Sequence, residues 1–460
     1  MVEISRYPAI KGLLKSRWPQ WAIFTIMLAM FLFAIFAGFS GTAVGNQNFG
    51  IVFVWIAWWA ILILVAVPVF GRGWCAVCPI PVPGEWIQRG AVLDPPSDTR
   101  PALKVRWLNL RWPNRLRNIW LQNASFLLVA LFSSLILTTP QVTAIVLASM
   151  LFLAVGMSLV FERRSFCRYL CPVGGFIGLY AQTAPIELRT KDRSVCASCE
   201  GKPCYNGSPS GYGCPWQVFP GGLSKNTYCG LCMECLRTCP HDNIAINTRP
   251  FAADLAKPSA RLDEAYKAFI MLGSALIYAA VLLGPWGSLK LAAYQVGTPA
   301  WLLYAVVFLA FILVALPGAF WLVVRVGSQL PLVGKKPVNQ SARKPFSRKD
   351  FSRLSTALIP LGLAFWVAFS LSFVLTNGSY ILVTLSDPLG WGWNLFGTAQ
   401  TTWQPALTSL LPPLQSLILV GGFAWSARTA QKTSAEVGLS PAPVIGFCLA
   451  VSLLMLWLLL

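Results

Sequence analysis

Cys229-Gly230-Leu231-Cys232-Met233-Glu234-Cys235-Leu236-Arg237-Thr238-Cys239-Pro240 is the stretch around which this chain is organised. Cysteines at offsets 0, 3 and 6 wrap three corners of a cubane iron–sulfur cluster, and a fourth, ahead of a proline, reaches across to a second cluster. A parallel but stretched run lies upstream: Cys196, Cys199, Cys204 and Cys214, the last followed by Pro215. Cross-ligation then assigns Cys196, Cys199, Cys204 and Cys239 to one 4Fe-4S cluster, and Cys229, Cys232, Cys235 and Cys214 to another. Two such centres in one small fold form a short relay for single electrons. Zinc is the competing reading, because it also takes four thiolates at Cys-x2-Cys spacing. Zinc sites usually use two separated pairs and have no need of the third close cysteine. Asn243-Ile244-Ala245-Ile246-Asn247 reads as a short strand closing the motif.

Outward from this run the chain is a membrane protein. It is 56% hydrophobic and 11% charged, against roughly 25% charged in a soluble domain. Nine apolar runs approach the length of about 20 residues needed to span a bilayer: 21–42, 50–70, 118–138, 142–161, 267–285, 299–324, 354–376, 405–425 and 441–460. Pro412 and Pro413 interrupt the eighth. The fold class expected is an all-α polytopic membrane protein, N-terminus cytoplasmic, with an inserted cytoplasmic two-cluster ferredoxin-like domain. The segments are a four-span region (1–161) with a Cys-Pro loop, the iron–sulfur insert (162–265), a two-span region (266–325), a basic connector (326–353) and a three-span region (354–460).

The net charge of +20 raises the question of nucleic acid. Its placement answers with a membrane: on this topology every Lys and Arg except Lys290 falls at or beyond the cytoplasmic membrane edge, the positive-inside pattern at near-maximal contrast. The loop 71–117 carries Leu103-Lys104-Val105-Arg106-Trp107-Leu108-Asn109-Leu110-Arg111-Trp112, whose interleaved basic and Trp residues suit the headgroup layer. The connector, with Lys335, Lys336, Arg343, Lys344, Arg348 and Lys349, suits anionic lipid. The outer loop 377–404, free of Lys and Arg, suits a cap on the outer face. The first span is too long and too polar-flanked for a cleaved signal. The expected location is a bacterial or archaeal cytoplasmic membrane, multi-pass, with the clusters on the cytoplasmic side.

Two further cysteine pairs stand at span ends, Cys75-x2-Cys78-Pro79 and Cys167-x3-Cys171-Pro172. They are read as a third iron–sulfur centre, with a redox-active dithiol and buried structural thiols as alternatives. Cys448, alone in the last run, reads as a small packing residue. The single histidine, His241, follows Cys239-Pro240 and reads as an exposed loop residue. No span carries histidine and no Cys-x-x-Cys-His occurs, so no haem is expected. No ionisable residue lies deep in a span, which argues against a pump. No phosphate-binding glycine motif supports ATP or nicotinamide chemistry.

Paired Cys-Pro motifs at span ends together with two ferredoxin motifs resemble a known family, the membrane polyferredoxins of the NapH and NosR type, associated with periplasmic nitrate and nitrous-oxide reduction. The residues that carry the resemblance are Gly73-Trp74-Cys75-Ala76-Val77-Cys78-Pro79, Cys167-Arg168-Tyr169-Leu170-Cys171-Pro172-Val173-Gly174-Gly175, and 229–240, within about residues 20–325. The resemblance implies quinol-linked electron transfer, with the eight insert cysteines as ligands and the Cys-Pro pairs as motif positions. The first pair is one residue shorter than the family's usual spacing, and the upstream ferredoxin motif is expanded. The expected function is a relay of single electrons between the quinone pool and a partner oxidoreductase, itself part of a multisubunit system. No quinone ligand is assigned; the aromatics Trp55, Trp58, Trp59 and those of 176–180 are the nearest candidates. Two rivals stand: a metal-reducing assembly factor for a respiratory oxidase or copper enzyme, and a non-catalytic membrane anchor.

Overall fold

The computed structural model describes residues 2–95, 107–329 and 346–460. Long apolar runs and a scarcity of β-rich alternation give a mostly helical molecule. Nine helices are labelled here: α1 Trp18–Ser40, α2 Phe49–Val77, α3 Trp120–Leu131, α4 Pro140–Val160, α5 Leu262–Leu283, α6 Pro299–Gly327, α7 Arg348–Asn377, α8 Leu411–Val437 and α9 Ala442–Leu459. Three strands form one antiparallel sheet: β1 Val2–Glu3, β2 Ile186–Thr190 and β3 Ile244–Thr248, in the order β1-β3-β2.

Among the described residues seven helices are long and apolar enough to cross a membrane: α1, α2, α4, α5, α6, α7 and α9. Each matches one of the expected spans. The runs 118–138 and 405–425 are helical but differ in detail. The first stops at Leu131 and resumes as Ser133–Ile136, with Phe132 between the two helices outside regular helical geometry. In the second, Pro412 and Pro413 sit in the first turn of α8, where a missing N–H costs nothing. They start the helix instead of interrupting it. The helix then runs through Arg428 and Lys432 to Val437 and closes on Gly438 at φ 79°.

The chain divides into two compact units. One comprises Met1–Phe126, Thr138–Asp254 and Val383–Ala399; the other Leu127–Leu137, Leu255–Leu382 and Gln400–Leu460. The second unit is built on α5 and α7, whose apolar windows are 72% buried. Ser347 and Asp350 form a capping box at the start of α7, and Trp366 donates its indole N–H to the Met271 carbonyl. Cys448 is fully buried in α9, as a packing residue should be. The connector expected at 326–353 falls mostly outside the described residues.

In the first unit α1 and α4 cross closely at Gly38, where a Cβ would lie 2.7 Å from both Ala144 Cβ and the Pro140 carbonyl oxygen. α2 carries π-helical turns over Val52–Trp58 and Ile61–Ala66. Its tryptophans are spent on packing: Trp58 meets Phe31, Phe53 and Trp74, Trp59 meets Phe176, and Trp55 donates to Thr143. These rings, with the buried Phe176 and Tyr180, are core contacts and not an open cleft. Part of the segment 377–404 closes over the turn between α1 and α2, with Thr42 and Phe49 donating to the Leu389 and Pro388 carbonyls.

β3 contains the closing strand expected after Cys239. It pairs on one side with β2 and on the other with the N-terminal β1, so the chain's start and the cysteine insert lie together. Lys11 and Lys15 pair with Asp242, and Arg17 at the head of α1 pairs with Glu234. Of the segment expected in the headgroup layer, residues 103–106 lie outside the described residues. Trp112 in that segment is buried, stacked at 4.9 Å on Tyr169, because the chain at Leu108 and Leu110 hydrogen-bonds to the end of α4.

Candidate iron–sulfur centres

The Cys-Pro pairs meet where α2 and α4 end. Cys75 occupies the last helical turn of α2, and Cys78 leaves it in an extended conformation ahead of Pro79. Cys167 lies in the short helix Ser165–Tyr169; Cys171 caps the next one, Pro172–Tyr180, its thiol accepting the Gly174 N–H at 3.2 Å. Proline at the first turn fixes that cap, since its ring presets the helical φ. Gln122 and Ser125 on α3 hold the loop between them through the Cys167 and Leu170 carbonyls. Three of the four cysteines are buried and Cys78 is half-buried. All four lie within electrostatic reach of one another: Cys167 senses Cys171, Cys78 and Cys75, and Cys78 and Cys171 both sense Cys75.

The insert gathers its eight cysteines into the two expected groups. Cys196, Cys199, Cys204 and Cys239 neighbour one another, and so do Cys214, Cys229, Cys232 and Cys235. The crossing arises because β3 returns the chain after Cys239 to β2, beside the helix Arg193–Ser198 that carries Cys196. Leu188, Leu236, Ile244 and Ile246 make the apolar core between the groups, with Cys204 and Cys235 in it. Those two thiols are also the electrostatic link from one group to the other. His241 sits exposed on the turn before β3.

Four arginines, read in the sequence only as positive-inside charge, tie the membrane-end pairs to the insert. Arg163 donates to the Cys214 carbonyl at 3.0 Å, and Arg168 donates to the Trp216 and Gln217 carbonyls. Arg72, 2% exposed, donates to the Gly174 and Thr227 carbonyls. Arg164 donates to the Cys75 carbonyl at 2.6 Å and makes a two-point pair with Glu85. Burial alone would raise the Glu85 carboxyl; the guanidinium groups of Arg164 and Arg89 beside it hold it below the usual carboxylate range. The helix bearing Glu85, Val82–Arg89, lies on α4 through Gly84, and Gln88 donates to the Ser158 and Phe161 carbonyls that the helix end leaves open. No sequence rule marked Arg72, Glu85 or Arg164. The available signal was charge directly flanking the cysteine motifs, which the topology argument had already explained.

The donor set fits iron–sulfur clusters. Cys214, Cys229, Cys232 and Cys235 line a single small cavity with mostly apolar walls, closed by Leu188, Trp216 and Leu223. Among the described residues no three His, Cys, Asp or Glu side chains converge tightly enough for a single metal ion. Burial, reinforced by the neighbouring thiols, pushes Cys171, Cys204 and Cys229 up to about 11 and Cys232 up to about 12. Four thiolates at such a site need positive charge among them, which cluster iron supplies. Donors already face several sulfurs: the Gly174 N–H at Cys171, the Asn243 N–H at Cys239, and the Asn243 side-chain amide at Cys196, 3.3 Å away.

A protein-family model described as a 4Fe-4S binding domain matches residues 51–109 and 143–190. Those segments contain Cys75, Cys78, Cys167 and Cys171 and stop short of the insert. Two curated proteins match part of the chain. "Putative electron transport protein YccM" of Escherichia coli is 30% identical over 138 residues, 30% of each chain. "Uncharacterized protein MJ0750" of Methanocaldococcus jannaschii is 29% identical over 88 residues, 19% of this chain and 32% of its own. The chain thus spans about a third of the relatives' lengths in these alignments. No solved structure matches. Together these matches support an iron–sulfur electron-transfer protein.

The double contact of Asn243 gives a first prediction. Asn243→Leu removes the side-chain donor to Cys196 and keeps the backbone donor to Cys239. One hydrogen bond to a charged acceptor is worth on the order of 1.5 kcal/mol, about 60 mV for a one-electron couple. The midpoint potential of one centre is expected to fall by that order in a spectroscopic redox titration, with iron content unchanged. Unaltered potentials for every centre would show that the contact carries no electrostatic weight.

Proposed function

We propose that this chain relays single electrons between the membrane quinone pool and a partner oxidoreductase through three 4Fe-4S centres in series. The first is held by Cys75, Cys78, Cys167 and Cys171; the second by Cys214, Cys229, Cys232 and Cys235; the third by Cys196, Cys199, Cys204 and Cys239. Each centre, when bound, accepts and releases one electron at a time. The observation that carries the reading is the continuous order of the thiol groups. Arg164 senses both Cys167 and Cys232, and Cys235 senses Cys204, so neighbouring groups adjoin from the helix ends to the surface of the insert.

The end nearest α2 and α4 is the quinone side of this relay. A narrow cleft beside it is lined by the apolar Trp21, Phe24 and Trp86 and by the charged Arg17 and Glu85, with Cys232 also in its lining. The pairing of β1 with β3 and the basic residues around both support a shared cytoplasmic side for the N-terminus and the insert. The exposed face of the insert, around Cys199, is the side offered to the partner.

Menaquinol added to anaerobic membranes holding this protein is expected to reduce the centres within turnover time, read as bleaching of the iron–sulfur absorbance and appearance of paramagnetic signals. A purely anchoring subunit would leave them oxidised.

A further inference from the structure

Trp216 lies where the membrane-end thiols meet the insert, and it is 1% exposed. Its ring faces two cations: the Arg72 guanidinium carbon stands 4.4 Å from the ring centroid and that of Arg164 5.8 Å. Those arginines are the ones that bind the Cys167 and Cys75 carbonyls. On the other side Trp216 lines the cavity of Cys214, Cys229, Cys232 and Cys235. The indole edge bearing Nε1 rests on Gly230, between Cys229 and Cys232; a Cβ there would lie 2.0 Å from Nε1. Arg168 fixes the Trp216 backbone carbonyl. The ring is thus held from three sides, yet its Nε1–H finds no acceptor among the described residues.

A buried indole N–H without an acceptor is costly, and buried indoles usually find one. The wall it occupies belongs to a cavity whose other polar groups are thiols. An anionic sulfur is the acceptor this cavity would offer once filled. The arginines on the ring face add to the effect, because a cation beside an electron-accepting centre favours its reduced form.

We propose that Trp216 is a positioning and tuning residue for electron transfer, its indole N–H donating to a sulfur of the iron–sulfur centre held by Cys214, Cys229, Cys232 and Cys235 while its ring joins that centre to the membrane-end one. This rests on the reading that those four cysteines bind such a centre. The donor raises the reduction potential of that one centre and leaves the other two alone. Gly230 is required because any side chain there would displace the indole.

The test is Trp216→Phe, which keeps an aromatic ring and removes the N–H. In the anaerobically purified full chain, iron and sulfide should equal those of the parent. The signal of one centre, identified by its loss in Cys235→Ser, should show a roughly tenfold lower reduced-to-oxidised ratio at fixed potential. The other two should be unmoved. Equal ratios for all centres would make Trp216 a space-filling residue and overturn the proposal. A second measurement needs no variant: the parent protein carrying indole-¹⁵N tryptophan should show a nitrogen coupling to the reduced centre in pulsed paramagnetic resonance. Its absence would likewise overturn the proposal. If the parent lacks the signal assigned through Cys235, the underlying cluster reading fails instead.

Discussion

On the three-centre proposal the parent is expected to hold about twelve iron atoms per chain, and Cys171→Ser to remove about four and leave about eight. Cys171 belongs to the group at the helix ends, whose four thiols neighbour one another. Its loss should spare the eight cysteines from Cys196 to Cys239, which lie around a separate apolar core. The measurement is iron and acid-labile sulfide per chain after anaerobic preparation, with paramagnetic spectra of the reduced protein. A parent carrying only about eight irons, unchanged by the substitution, would return the Cys-Pro pairs to a dithiol or structural role. A chain rich in zinc and free of sulfide would remove the clusters altogether.

Arg164→Leu is the second large effect. The side chains of Arg164 and Glu85 are 4% and 7% exposed and make two hydrogen bonds. Removing Arg164 leaves the buried Glu85 carboxylate with Arg89, at 3.2 Å, as its remaining ion-pair partner among the described residues. Breaking such a pair costs about 3–5 kcal/mol. The remaining Arg89 contact places this case near the lower end. The unfolding midpoint in detergent should fall accordingly, and the double variant Arg164→Leu/Glu85→Leu should recover most of the loss, because an uncharged buried pair has no desolvation cost. Recovery of stability without recovery of the parent spectra would separate the structural task of Arg164 from its position between Cys75 and Cys232. A single variant as stable as the parent would show that the pair holds nothing.

Much of the site was legible in the linear chain. Cysteine offsets are short-range geometry: a thiol three residues from another is confined to a few ångströms, so the grouping of Cys229, Cys232 and Cys235 needed no tertiary knowledge. The assignment of Cys239 and Cys214 to opposite groups followed from the same rule. Hydropathy identified the long helices because a bilayer-length apolar run has few other uses. It misjudged the ends of α8, since a proline pair looks like a breaker until one sees it in a first turn. It also passed over β2, whose five residues carry too little periodicity to stand out from the surrounding loop.

The arginine clasp was not legible for a different reason. Arg72, Arg163, Arg164 and Arg168 had a sufficient explanation as charges at a membrane edge, and that explanation is blind to direction. Whether a long cationic side chain reaches outward to headgroups or inward to carbonyls depends on what the rest of the chain places beside it. Trp216 was hidden likewise, as one of 20 tryptophans in a chain where such rings usually anchor helices at the interface.

By itself, then, the order of amino acids determined what the local chemistry is: thiols at cluster spacing, apolar runs, and cations gathered between those runs. The folded arrangement decided what those groups touch. It brought together pairs of cysteines about ninety residues apart in the chain, turned four arginines inward to join them to the insert, and set one indole between. Spacing along a chain constrains only neighbours within a few bonds, whereas contacts between distant segments are fixed by the packing of whole helices, which no short motif encodes.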